Sequence, residues 1–173
     1  MNFFKSKLTN MQKGFTLIEL LIVIAVLGIL ATGVLIALDP IEQINRGRDS
    51  GRVSSVAQLG RAVQSYYTTQ SAYPTANTTW QTTLLNSGEI KLAATVESTG
   101  ALCTINQQGN VCYATTGTEA MVWTTLNSKS SITKGVCTGT QVAVIAWISS
   151  QGKAGVTCVT AAGTQPGYAA VLR

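Results

Sequence analysis

Histidine is absent from the 173-residue chain. That excludes a Ser-His-Asp or Cys-His mechanism and removes a common zinc ligand. Acidic side chains are scarce toward the C-terminus: beyond Glu97 the only one is Glu119. The region therefore offers no carboxylate pair and no calcium cage. No glycine loop of the phosphate-cradling kind occurs. The four cysteines, Cys103, Cys112, Cys137 and Cys158, lack the CxxC spacing of a zinc or redox site. These absences point to a chain that is no enzyme and holds neither metal nor cofactor.

Charge is also in short supply. Only 11% of residues are charged, less than half the usual share of about 25% in soluble domains. The shortage has a local cause. From Phe15 to Leu38 the chain runs 24 residues with one charged side chain, Glu19, and without proline. As a helix this run would measure about 36 Å, enough to span a hydrocarbon core of about 30 Å. Lys5, Lys7 and Lys13 precede it and no acid does, which predicts that this end stays in the cytoplasm. A conventional secretory signal would have a shorter apolar core closed by a small-x-small site. Here Ala25, Gly28, Ala31 and Gly33 recur along the run instead, where small residues let neighbouring membrane helices approach.

The net charge of +5 owes much to the first 14 residues; without them nine basic residues face seven acidic ones. A bulk attraction to nucleic acid is therefore not established. Arg46, Arg48, Arg52 and Arg61 are interrupted by Asp49, and such arginines on a helix are more often solvated or paired. Glu19 is the residue that needs a reason. A carboxylate at bilayer depth is costly without a partner, and the neighbouring sequence offers no cation on its side of the boundary.

Lys13-Gly14-Phe15-Thr16-Leu17-Ile18-Glu19-Leu20, followed by the unbroken apolar run, resembles the processing motif of type IV prepilins and the related pseudopilins. The resemblance implies a precursor that a membrane prepilin peptidase/methyltransferase cuts after Gly14, methylating the new N-terminal Phe15. It implies that Glu19 pairs with the terminal amine of a neighbouring copy during assembly. Physics agrees, because cleavage creates a cation and a low dielectric strengthens its attraction to a carboxylate. The implied partners are further copies of the chain, the cytoplasmic membrane, and a pilus assembly platform with its ATPase machinery. The implied destination is an extracellular filament at the bacterial surface. One departure from many members is the lack of a proline inside the apolar helix; Gly28, Gly33 and Pro40 are its weak points.

Beyond Pro40, Ile41, Ile44, Val53, Val56, Leu59, Val63 and Tyr66 or Tyr67 keep helical spacing. The simplest reading is one helix from Phe15 to about Gln70, greasy in its first half, amphipathic in its second, and stopped by Tyr73-Pro74. Gly47 and Gly51, one turn apart, would permit a close backbone approach. TWQTTLLNSG reads as a short helix capped by Gly88. Asn77-Thr78-Thr79 fits a glycosylation sequon but reads better as a turn. Segments 111–115, 120–126, 142–149 and 155–160 read as strands joined by short antiparallel links, with Trp123 and Trp147 filling the core between sheet and helix.

Four cysteines allow three pairings in an oxidising compartment. Cys103–Cys112 and Cys137–Cys158 are favoured, since each closes a local loop around a plausible hairpin. The expected fold class is α+β: a long N-terminal helix, its hydrophobic half protruding, packed on a small antiparallel sheet in the pilin manner. The expected division is a cleaved leader (1–14), a transmembrane and assembly helix (15–38), an amphipathic helix (39–72) and a globular head (73–173). The expected function is a structural subunit of a type IV pilus-like filament. The alternative is a pseudopilin or minor pilin serving type II secretion or DNA uptake. A membrane-anchored binding protein that never polymerises would have no use for Glu19.

Overall fold

The computed structural model describes residues 14–97, 103, 106–135, 137–161, 163–170 and 172–173. The chain divides into two units, one ending at Pro40 and the other running from Ile41 to Arg173. In the first lies helix α1, Leu17–Ala37. Its 21 residues give about 32 Å of helix. Over Leu17–Ile36 it is long and apolar enough to cross a membrane.

The single long helix expected from the sequence is two helices. Leu38 caps α1, Asp39 takes a positive φ of 39°, and α2 opens at Pro40 and runs to Gln70. Proline bars its predecessor from the helical region and has no N–H to give, yet its fixed φ suits a first helical position. The same residue therefore ends one helix and starts the next. At the far end Ser71, at φ 56°, terminates α2 three residues before Pro74, so Tyr73-Pro74 is not the stop signal.

α2 buries different chemistry along its length. Glu42, Asp49 and Arg52 are buried in its first half; Val56, Leu59, Gly60, Ala62 and Val63 are buried in its second. A short helix α3, Trp80–Asn86, follows, with Gly88 just past its cap at φ 81°.

The rest of this unit is a five-stranded antiparallel meander in sequential order: β1 Gln107–Gln108, β2 Val111–Thr115, β3 Ala120–Thr125, β4 Val142–Ile148 and β5 Lys153–Val159. Helix α4, Lys129–Gly135, lies between β3 and β4. Two of these elements escape sequence reading: β1 is a pair of glutamines, and KSSITKG in α4 has no apolar period.

Strand side chains alternate between two faces. Val111, Tyr113, Ala120, Val122, Ala143, Ile145, Trp147 and Val156 pack with Val56, Leu59 and Val63 of α2 and with Trp80 and Leu84 of α3. Cys112, Ala114, Met121, Trp123, Ala146 and Ile148 form a second cluster with Leu172, against which Tyr168 and Ala170 rest. Trp147 thus lies between sheet and helix. Trp123 does not, because it sits one residue out of phase with Val122 and faces the C-terminal segment. The protein is α+β, an apolar helix followed by a second helix and a small antiparallel sheet in a pilin-like arrangement.

Candidate processing and assembly site

Gly14 and Phe15 precede α1, and Thr16 is its N-cap in extended conformation. Residues 1–13, expected from the sequence to belong to a leader, lie outside the described residues. Phe15 is 83% exposed and open space surrounds Gly14, so the Gly14–Phe15 bond stands clear of the described residues.

Glu19 has a partner that the charge-based reading of its neighbourhood overlooked. Its Oε2 accepts the Thr16 N–H at 2.8 Å and the Thr16 hydroxyl at 2.9 Å, while the Glu19 N–H donates to Thr16 Oγ1 at 3.3 Å. This is a capping box: the Ser/Thr-x-x-Glu pattern satisfies two N–H groups that the first helical turn leaves free. The signal Thr16-Leu17-Ile18-Glu19 was legible in the sequence. Both Thr16 bonds fall on Oε2, so Oε1 accepts nothing among the described residues.

The remainder of α1 has no polar partner to offer a soluble environment. Its large apolar side chains, from Leu17 at 82% to Val26 at 50%, are all exposed. A β-carbon at Gly28 or Gly33 would meet nothing within 4 Å. An apolar surface of this length is unstable in water and must be covered by lipid or protein. The Thr32 hydroxyl is spent on the Gly28 carbonyl at 2.9 Å, as membrane-helix threonines do.

Three of the four arginines of α2 are engaged within the chain, Arg61 being exposed. Arg46 pairs with Glu42 at 3.0 Å, Arg48 with Glu97 at 2.8 Å and Arg52 with Asp49 at 3.0 Å. They form no free basic stripe. Gly47 and Gly51 face open space; the close approach is made at Gly60, against Trp147. Cys103 is bonded to Cys112 and Cys137 to Cys158. The side-chain Oδ1 of Asn77 accepts the N–H and hydroxyl of Thr79 at 2.9 and 3.0 Å, an Asx-type turn leading into α3. Among the described residues no group of three or more His, Cys, Asp or Glu is arranged to hold a metal ion.

No curated protein and no solved structure matches the chain. Residues 9–35 match the prokaryotic N-terminal methylation motif, a stretch that takes in Gly14, Phe15, Glu19 and most of α1. The motif and the apolar helix mark a membrane-anchored precursor carrying the type IV prepilin-like signal, consistent with a pilin or pseudopilin.

Proposed function

We propose that this chain is the structural subunit of an extracellular type IV pilus-like filament. Residues 1–14 serve as a leader removed by prepilin peptidase, Phe15 becomes the methylated first residue, and 15–38 form the assembly helix. Residues 39–72 are the amphipathic helix that carries the head, 73–173. Neighbouring copies pack through the assembly helix, with the assembly platform and its ATPase extracting each subunit from the cytoplasmic membrane.

The observation that carries this reading is the pairing of a methylation motif with an α1 whose apolar side chains are exposed throughout. Lipid covers them in the precursor; sister helices cover them in the filament. Glu19 supports the same reading. Its carboxylate keeps Oε1 for a further donor, and cleavage at Gly14 supplies one as the Phe15 ammonium of an adjacent copy. Water is excluded there, so the attraction is stronger than at a surface, and it fixes the axial register of subunits.

The test is electron microscopy of filaments sheared from cells, with N-terminal sequencing and intact mass of their main component. The expected component begins at N-methylated Phe15. A main component that retains Met1 to Gly14, or the absence of this chain from the filaments, overturns the proposal.

A further inference from the structure

Helix α4 is held in place by almost no apolar packing. Of its seven residues only Gly135 is buried, and Ile132 is 38% exposed. A helix this short does not form by itself in water. Its order comes from its two ends.

At the N-terminal end two carboxylates of α2, seven residues and two turns apart, take up the segment that starts α4. Asp49 accepts the Asn127 N–H at 3.0 Å, the Ser128 N–H at 2.9 Å and the Ser131 hydroxyl at 2.8 Å. Glu42 accepts the Lys129 N–H at 2.9 Å and the Ser130 N–H at 3.2 Å. Ser128 Oγ takes the Ser131 N–H at 3.2 Å. N–H groups that a helix start leaves unpaired are thus bonded, and negative charge sits where the helix dipole favours it. Arg46 and Arg52 hold the two carboxylates from the α2 side.

At the C-terminal end the Cys137 N–H donates to the Ile132 carbonyl at 3.1 Å, tying the cysteine to the helix. Cys158 is fixed separately, in β5 opposite Ala143. Gly135 lets the helix end reach the sulfurs: a β-carbon there would stand 3.0 Å from Cys137 Sγ and 3.3 Å from Cys158 Sγ.

We propose that Glu42 and Asp49 template the Cys137–Cys158 disulfide. By ordering α4 they bring Cys137 to Cys158 before oxidation, so closure of this bond depends on the carboxylates and closure of Cys103–Cys112 does not. With a small-molecule disulfide as oxidant, one cysteine thiolate attacks it and releases a thiolate. The second cysteine thiolate then attacks the mixed disulfide and releases the other, so two thiols are oxidised and one disulfide is reduced. The carboxylates do no chemistry in this step; they are positioning residues. Without them Cys137 hangs from Leu126, the buried residue after β3, in place of Ser131. The longer tether alone lowers the encounter rate about twofold, and loss of helix order lowers it further.

The test uses the full chain in detergent micelles, reduced and then reoxidised with oxidised glutathione. Timed alkylation and peptide mapping follow both disulfides in one sample. In the double variant Glu42→Gln with Asp49→Asn, Cys137–Cys158 is expected to form at least about twofold more slowly, with Cys103–Cys112 unchanged. Glu42→Gln alone, a milder change with less risk to folding, is expected to show the same selectivity to a smaller degree. Unchanged closure of Cys137–Cys158 in both variants overturns the proposal. Equal slowing of the two disulfides also overturns it, since that assigns the effect to folding in general.

Discussion

Gly60 of α2 faces Trp147 of β4 so closely that a β-carbon at position 60 would lie 2.2 Å from Trp147 Cγ. The indole is buried in the main core, where close packing resists its withdrawal. Gly60→Ala is therefore expected to destabilise the protein by about 1–3 kcal/mol, despite a gain of about 1 kcal/mol in helix propensity. Gly47→Ala, where nothing lies within 4 Å, should keep that gain. Denaturant unfolding of the two variants in micelles checks the pair, and equal effects would refute the packing account.

Asp49 predicts acid sensitivity. Burial pushes its carboxyl upward, but hydrogen bonds from the Ser128 and Asn127 N–H groups and the serine hydroxyls outweigh this, and its pKa lies below the ordinary 3.8. A depressed carboxylate adds stability that is complete above the unfolded-state pKa and is lost as pH falls through the folded-state value. Stability should thus fall with decreasing pH below about 4, and Asp49→Asn should flatten that fall. Asp49→Ala, which strands the buried Arg52, is expected to cost about 3–5 kcal/mol at neutral pH. Unfolding free energies measured from pH 7 down to pH 2.5 decide it.

Glu19 and Thr16 separate capping from assembly. Thr16→Ala removes the side-chain half of the capping box and should leave filament yield near normal. On the proposed pairing, Glu19→Ala removes the carboxylate that would meet the next subunit's terminal amine, and should sharply reduce filaments while the chain still inserts in the membrane. Membrane fractionation and microscopy of sheared material give both readouts. Normal filaments from Glu19→Ala would sink the pairing.

Tyr113 links β2 to the loop after α2. Its hydroxyl donates to the Pro74 carbonyl at 2.9 Å and its ring stacks on Trp80 with centroids 4.8 Å apart. Burial raises its pKa well above 10.0. Tyr113→Phe keeps the stacking and should cost about 1 kcal/mol; Tyr113→Ala should cost about 3–5 kcal/mol. In an alkaline titration followed by tyrosinate absorbance, Tyr113 should stay silent until the protein unfolds.

Much of the fold was legible because its signals are local. The β-branched runs from Val111, Ala120 and Val142 mark strands in the sequence, and TWQTTLLNSG marks α3 with its glycine. The break at Asp39 was visible as well, since a proline disfavours helix at the residue before it. Apolar periodicity on both sides of Pro40 outweighed that signal in the reading of one long helix. Ser71 gave no warning, because a positive φ at serine is set by surroundings and not by propensity.

What the sequence determined by itself was the apolar run, its methylation motif, the lone Glu19 and the strand-rich head, because residue type and spacing settle each within one stretch of chain. What only the tertiary structure decided was which groups meet. Gly60 and not Gly47 touches the sheet, Trp123 faces away from α2, and Glu42 and Asp49 hold a helix some eighty residues distant. Contacts across such separations depend on which face of each element is turned inward, and that is fixed only when all the elements pack at once.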